Sequence, residues 1–228
     1  MTILYEDNHI IAINKSAGEI VQGDKTGDVP LVEKVREYIR EKYQKPGNVF
    51  IGSPHRLDRP TSGVVLFAKT SKALTRLNDM FRDHKAIKKT YWAIVARNDR
   101  VIEQGRLENY LFRNEQKNKT YIVNPNTDGA KLAILTYRVA AKSERYELIE
   151  IELETGRHHQ IRCQLSAIGL PIKGDLKYGA KRSNKDGSIS LHARQIEFIH
   201  PVSKQLLKII APVPKDILWE TLEKQYTI

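Results

Sequence analysis

Residues 55–63 read His-Arg-Leu-Asp-Arg-Pro-Thr-Ser-Gly, so one carboxylate, Asp58, stands between Arg56 and Arg59 just ahead of the apolar run 64–68. A guanidinium beside an aspartate stabilises the anion through charge-assisted hydrogen bonds and lowers its pKa. A carboxylate held ionised in this way can act as a nucleophile, as a general base, or as the partner of a substrate-contacting arginine. The same spacing also suits a plain loop aspartate that accepts turn hydrogen bonds from Thr61 or the Gly63 backbone. The window alone leaves both readings open.

A second dense window, TGRHHQIRCQLSAIGLPIKGDLKYG, spans residues 155–179. Its pattern predicts a helix from His158 to Ile168, with Gly169 as its C-cap and Pro171 beyond. Ile161, Leu165 and Ile168 would form the buried side. Arg162 falls about 100° round from Ile161, at the edge of that face, where a guanidinium can point into a cleft. Arg157 and His158 stand at or before the helix N-terminus, where backbone N–H groups favour anions.

Several chemistries have no support. The sequence contains neither a GxxxxGK[ST] phosphate loop nor a GxGxxG after a strand, so no nucleotide cofactor is expected. His158 and His159 are adjacent and cannot face one metal from a helix, and the other histidines are scattered. Ser62 lacks the GxSxG elbow of a serine hydrolase. Cys163 is the only cysteine, which excludes an internal disulfide and a multi-cysteine zinc site. A carboxylate glycosidase needs two flanking acids, and HRLDRPTSG offers one.

Charge points to a partner. The 228 residues carry a formal net charge of +11. Nine Lys/Arg against three Asp lie between residues 69 and 100, and five basic residues against one acid lie between 173 and 185. An excess concentrated in this way favours a polyanion over solvated lysine faces. No apolar run approaches the ~18 residues of a membrane span. The N-terminus MTILYEDNHI carries acids where a signal peptide would be basic and then apolar, so a cytoplasmic protein is expected; a monomer is expected as well.

The elements that would position these residues follow from periodicity. Strands are predicted at Ile3–Tyr5, Ile10–Ile13, 64–69, 88–96, Lys131–Ala140, Tyr146–Leu153, Leu191–Phe198 and Leu206–Ala211. Helices are predicted over Leu31–Tyr43, over Lys72 to about His84 with Ser71 as N-cap, and near the C-terminus with Ile217, Leu218 and Leu222 on its apolar side. Residues 22–30 and 179–190 read as loops, the latter mobile. Strands outnumber helices without strict alternation. That favours one α+β domain over residues 1–228, with a mixed, mainly antiparallel central sheet flanked by helices.

Here the residues resemble a known family. HRLDRPTSGVVLFAKT (55–70) is similar to the catalytic motif of the RluA family of RNA pseudouridine synthases, and residues 155–179 are similar to its second signature. ILYEDNHIIAINKSAG, KKTYWAIV and LHARQIEFIHP agree in the family's order, from residue 3 to about residue 214. The resemblance implies a cofactor-free and metal-free isomerase acting on uridines of structured RNA, ribosomal or transfer, with the target base flipped out of its stack. It implies that Asp58 is the nucleophile and that Tyr91 stacks on the base and is a candidate for removing the carbon-5 proton. Arg162 would pair with Asp58 at the floor of a basic cleft. Arg56 would hold the displaced nucleotide, Leu191 would line the pocket, and His55, Thr61, Arg157 and His159 complete the expected substrate contacts. Three departures stand out. The motif usually written NKPAG reads NKSAG, which puts the rigidity of that loop in question. Gln164 stands where a histidine is common. The small RNA-binding module that many relatives carry ahead of the catalytic domain is not expected here, so target choice would fall to the catalytic domain. The alternative reading is an RNA-binding protein or RNA-folding chaperone on the same fold.

Overall fold

The computed structural model describes residues 1–24, 26–83, 86–98 and 102–226. His84, the expected end of the second helix, and Lys85 and Arg100 of the basic run lie outside the described residues. The chain forms two compact units, one of residues 1–88 and 193–212, the other of residues 89–192 and 213–228. The fold class is α+β, as expected.

In the first unit, β1 (Thr2–Glu6), β2 (Ile10–Lys15), β3 (Ser62–Ala68), residues 193–199 of β9 (Leu191–Ile199) and β10 (Leu206–Ile210) lie side by side in the order β1-β2-β3-β9-β10. The β1/β2, β2/β3 and β9/β10 pairs are antiparallel. All seven residues of β3 are buried, which explains its unbroken apolar run. Helix α1 (Leu31–Lys42) buries Leu31, Val35 and Ile39 at i, i+4 and i+8. Helix α2 (Ser71–Arg82) packs Ala73 and Leu77 against Ile10, Leu66 and Phe198. Its N-cap is Thr70, not Ser71: Thr70 has extended backbone, and its hydroxyl accepts the Ala73 N–H at 3.2 Å.

In the second unit, β4 (Ile87–Ala96), β5 (Gln104–Asn114), β6 (Lys119–Val123), β7 (Lys131–Lys142) and β8 (Tyr146–Leu153) run in the order β4-β8-β7-β5-β6, every pair antiparallel. The β5–β6 hairpin has no counterpart among the expected elements. Helix α3 (Gln160–Ala167) places Ile161 and Leu165 on Leu135, Ile149 and Ile151. It starts two residues later than expected because His159 takes a left-handed backbone, with φ of 51°. It ends at Ala167, one residue earlier than expected, so Ile168 is the C-cap and Gly169 the residue just beyond it. Gly169 N–H donates to Ser166 O at 3.0 Å and Leu170 N–H to Leu165 O at 2.9 Å, a Schellman motif closed by Leu165 and Leu170 in one core. Helix α4 (Ile217–Lys224) buries Trp219 and Leu222, while Ile217 is 83% exposed. The expected apolar side was therefore wrong at its first residue. Ile217 opens the helix and lies about 200° round from Trp219, whose indole takes the inner face. The segment 179–190 is a loop, as expected.

Gly63 has φ of +116°, and a Cβ there would run into the backbone of Ala193. Gly63→Ala therefore combines a left-handed backbone cost with steric overlap and should destabilise by at least about 3 kcal/mol in urea unfolding. An unchanged midpoint would show that β3 and β9 do not approach this closely.

Candidate active site

The HRLD window forms one loop entering β3. Asp58 and His55 are half-buried, Arg56 is exposed, and Thr61 is buried. His55 Nε2 accepts the Leu66 N–H at 2.9 Å, so the ring proton sits on Nδ1, and the ring stacks on Phe81 at 4.4 Å. His55 thereby fastens the start of the loop to β3. Asp58 and Thr61 close a turn through Thr61 N–H to Asp58 O at 3.0 Å. Arg59 turns away from its neighbour in sequence. Its Nη1 meets Asp28 at 2.6 Å, and its Nη2 meets Thr26 at 2.7 Å and Asp24 at 3.3 Å, tying the loop to these three residues. Among the described residues, the buried Thr61 hydroxyl has no hydrogen-bond partner.

The residue that holds this loop was not among the expected site residues. Lys15, at the end of β2, is completely buried, and its ammonium donates to Thr61 O at 2.6 Å, Ser16 O at 3.0 Å and Arg59 O at 3.1 Å. Arg59 O also accepts the Gly18 N–H at 2.8 Å. The NKSAG segment is thus a bracket around the carbonyls that follow Asp58. Ser16 in place of the usual proline leaves an N–H, which donates to Glu19 Oε2 at 3.1 Å while Glu19 Oε1 pairs with Lys34 at 2.7 Å. A hydrogen bond that proline cannot make supplies the rigidity that the departure put in question. Burial pushes the Lys15 ammonium down to about 8, against the opposing pull of the Glu19 and Asp58 charges.

In the second unit, Tyr91 lies on β4, half-buried, and packs against the cluster around Ile149 and Ile151. Leu191 is buried in the same cluster. Arg162 is 5% exposed and Asp175 is 1% exposed. Arg162 Nε donates to Asp175 Oδ2 at 2.6 Å and Nη2 to Oδ1 at 2.9 Å. The Tyr178 ring covers the guanidinium, with 5.0 Å between its centroid and Cζ. His159, expected as a substrate contact, is buried with Nδ1 3.0 Å from the Tyr178 hydroxyl. Burial, with Arg162 adding to it, drives its pKa down to about 2, so it is neutral. Arg157 Nε donates to Leu132 O at 2.9 Å, which fastens the entry of α3 to β7. Gln164, in the place of the common histidine, is completely buried and its amide donates to Asn109 Oδ1 at 2.7 Å and Ala133 O at 3.2 Å. Asp175 and Tyr178 stood in the quoted signature without a role. The signal that could have found them is the need of a buried arginine for a carboxylate.

The unit boundary falls between two sets of expected residues. His55, Arg56, Asp58 and Thr61 share one loop of the first unit, while Tyr91, Arg157, His159, Arg162 and Leu191 belong to the second.

Residues 9–167 match the family model described as RNA pseudouridylate synthase. The chain is 34% identical over 222 residues to the uncharacterized RNA pseudouridine synthase YhcT of Bacillus subtilis, covering 95% of this chain and 70% of that protein. It is 32% identical to tRNA pseudouridine synthase C of Pectobacterium carotovorum, covering 99% of this chain and 62% of that one. With ribosomal large subunit pseudouridine synthase C of Vibrio cholerae it shares 33% identity, covering 92% and 65%. The fold matches that of human RNA pseudouridylate synthase domain containing 4, with a TM-score of 0.79 over 100% of this chain and 94% of that chain at 22% identity. The chain belongs to the RNA pseudouridine synthase family, isomerases that act on RNA. Among the described residues, no helix is long and apolar enough to cross a membrane.

Between pH about 8 and 10.5, the unfolded chain keeps the Lys15 proton that the folded protein has released, so the contribution of Lys15 to stability rises with pH across that window. The unfolding free energy of the wild type minus that of Lys15→Met should therefore increase by about 2–3 kcal/mol from pH 8 to 10.5 in urea titrations. A difference that stays flat would mean that the ammonium is not desolvated.

Proposed function

We propose that the chain converts specific uridines of a structured RNA, ribosomal or transfer, to pseudouridine, with Asp58 as the nucleophile. The observation that carries the reading is the Asp58 loop itself. It lies within the segment that matches the family model, and a buried ammonium fixes the carbonyls on its C-terminal side. A nucleophile tied down in this way needs little reorganisation at the moment of reaction.

In the reaction, the bond from uracil N1 to ribose C1′ breaks, the base turns, and C5 bonds to C1′. C5 then loses a proton as N1 gains one, so the product is an isomer and no cofactor is consumed. Asp58 supplies the nucleophilic carboxylate, whether toward the sugar or toward the ring. Tyr91 gives the swung-out uracil a flat partner and is the candidate for taking the C5 proton. Arg162 is assigned as the positive counter-charge of the nucleophilic carboxylate. Exposed Arg56 fills the space that the base vacates, which offsets part of an unstacking cost of a few kcal/mol. Thr61, His55, Arg157, His159 and Leu191 shape and support the substrate site. The +11 charge suits the phosphate backbone. The names of the relatives support both transfer and ribosomal RNA as substrate classes. We propose further that residues 1–228 act as one catalytic domain, as a monomer in the cytoplasm, without membrane contact.

RNA labelled with tritium at uracil C5 tests this reading, since isomerisation releases the label. Wild type should release tritium in step with pseudouridine formation. Asp58→Asn should lose roughly 10³-fold or more in rate while its RNA Kd stays within about threefold. A chaperone or simple RNA-binding protein would bind RNA with salt-sensitive affinity and release nothing. Label release that survives Asp58→Asn would remove the nucleophile assignment.

A further inference from the structure

We infer that Asp175 and Tyr178 are positioning residues for the reaction, acting through Arg162. The inference rests on the reading of Arg162 as the counter-charge of the catalytic carboxylate. A buried ion pair is weak as a source of stability, since an apolar pair of similar volume often does as well. What such a pair can do is fix geometry. The fork from Nε and Nη2 to the two Asp175 oxygens, at 2.6 and 2.9 Å, sets the plane of the guanidinium. A guanidinium has five N–H donors, so the edge formed by Nη1 and Nη2 can serve a second carboxylate while Asp175 holds the first edge.

Tyr178 fixes the remaining freedom. Its ring lies over the guanidinium, and its hydroxyl accepts the Thr120 N–H at 2.8 Å and lies 3.0 Å from His159 Nδ1. The ring is therefore pinned to β6 and to the start of α3. Asp175 is held as firmly. Gly174 before it has φ of +90°, and a Cβ there would lie 2.7 Å from Ser188 O. Tyr178 N–H and Ala180 N–H both donate to Asp175 O, at 3.1 and 3.0 Å. The terse ending GLPIKGDLKYG thus encodes a rigid cradle for one arginine.

Steady-state kinetics on the RNA substrate separate positioning from binding. Asp175→Asn keeps the volume but turns an amide N–H toward a guanidinium N–H, so one arm of the fork is lost. Its kcat should fall on the order of 100-fold with KM within about twofold of wild type. A wild-type kcat, or a fall in kcat matched by a rise in KM, overturns the inference. Should Asp175→Asn not fold, Tyr178→Phe decides, since it keeps the ring and loses only the pinning hydroxyl. A kcat roughly tenfold lower at unchanged KM supports the inference, and a wild-type kcat overturns it. Asp58→Asn, assayed alongside, keeps the two readings apart. If it is inactive while Asp175→Asn matches wild type, only the positioning inference fails; if it stays active, the reading beneath both fails.

Discussion

One buried ammonium organises the first unit. Lys15 sits at the end of a mostly apolar strand, and among the described residues no carboxylate is bonded to its charge. Three backbone carbonyls take that place. Desolvating a cation is costly, and the cost is bearable only when each donor meets an oxygen. The loop that carries Asp58 must therefore keep Arg59 O and Thr61 O turned inward. Everything proposed about Asp58 depends on that constraint, because a carboxylate on a loose loop would have to be ordered anew for each substrate.

The second unit uses a cation differently. Arg162 is buried almost as deeply as Lys15 but is met by a carboxylate, and Asp175 is in turn fixed by turn hydrogen bonds and a left-handed glycine. A point-like ammonium gathers carbonyls from several directions, whereas a planar guanidinium takes its orientation from one fork. The choice of residue thus matches the job: lysine to gather a loop, arginine to present an edge.

Much of this was legible in the residues. The unbroken run of β3, the i, i+4, i+8 face of α1 and the Gly169 stop of α3 are local patterns, and local patterns survive folding. What was not legible depended on distant partners. Ile217 and Trp219 compete for one face, and only the packing against Trp92 and Leu148 decides between them. The β5–β6 hairpin lacks an Asn-Gly type turn; its bend closes through Asn118 at φ of 44°. In the site, Asp58 was found from its arginine neighbours, although Arg59 in fact bonds to Asp24 and Asp28. The role of Lys15 could not be seen, because a lysine ending a strand is usually solvated and nothing local says that three carbonyls surround it.

The central claim is that the position of the Asp58 carboxylate, and not merely its charge, makes the site. Asp58→Glu keeps the charge and carries it about one methylene, roughly 1.5 Å, further from a fixed backbone. Pseudouridine formation under single turnover with saturating RNA should fall at least about 100-fold in that variant, with folding and RNA affinity intact. A rate within about threefold of wild type would contradict the account, since a loop that tolerates such a displacement is not holding its carboxylate in place.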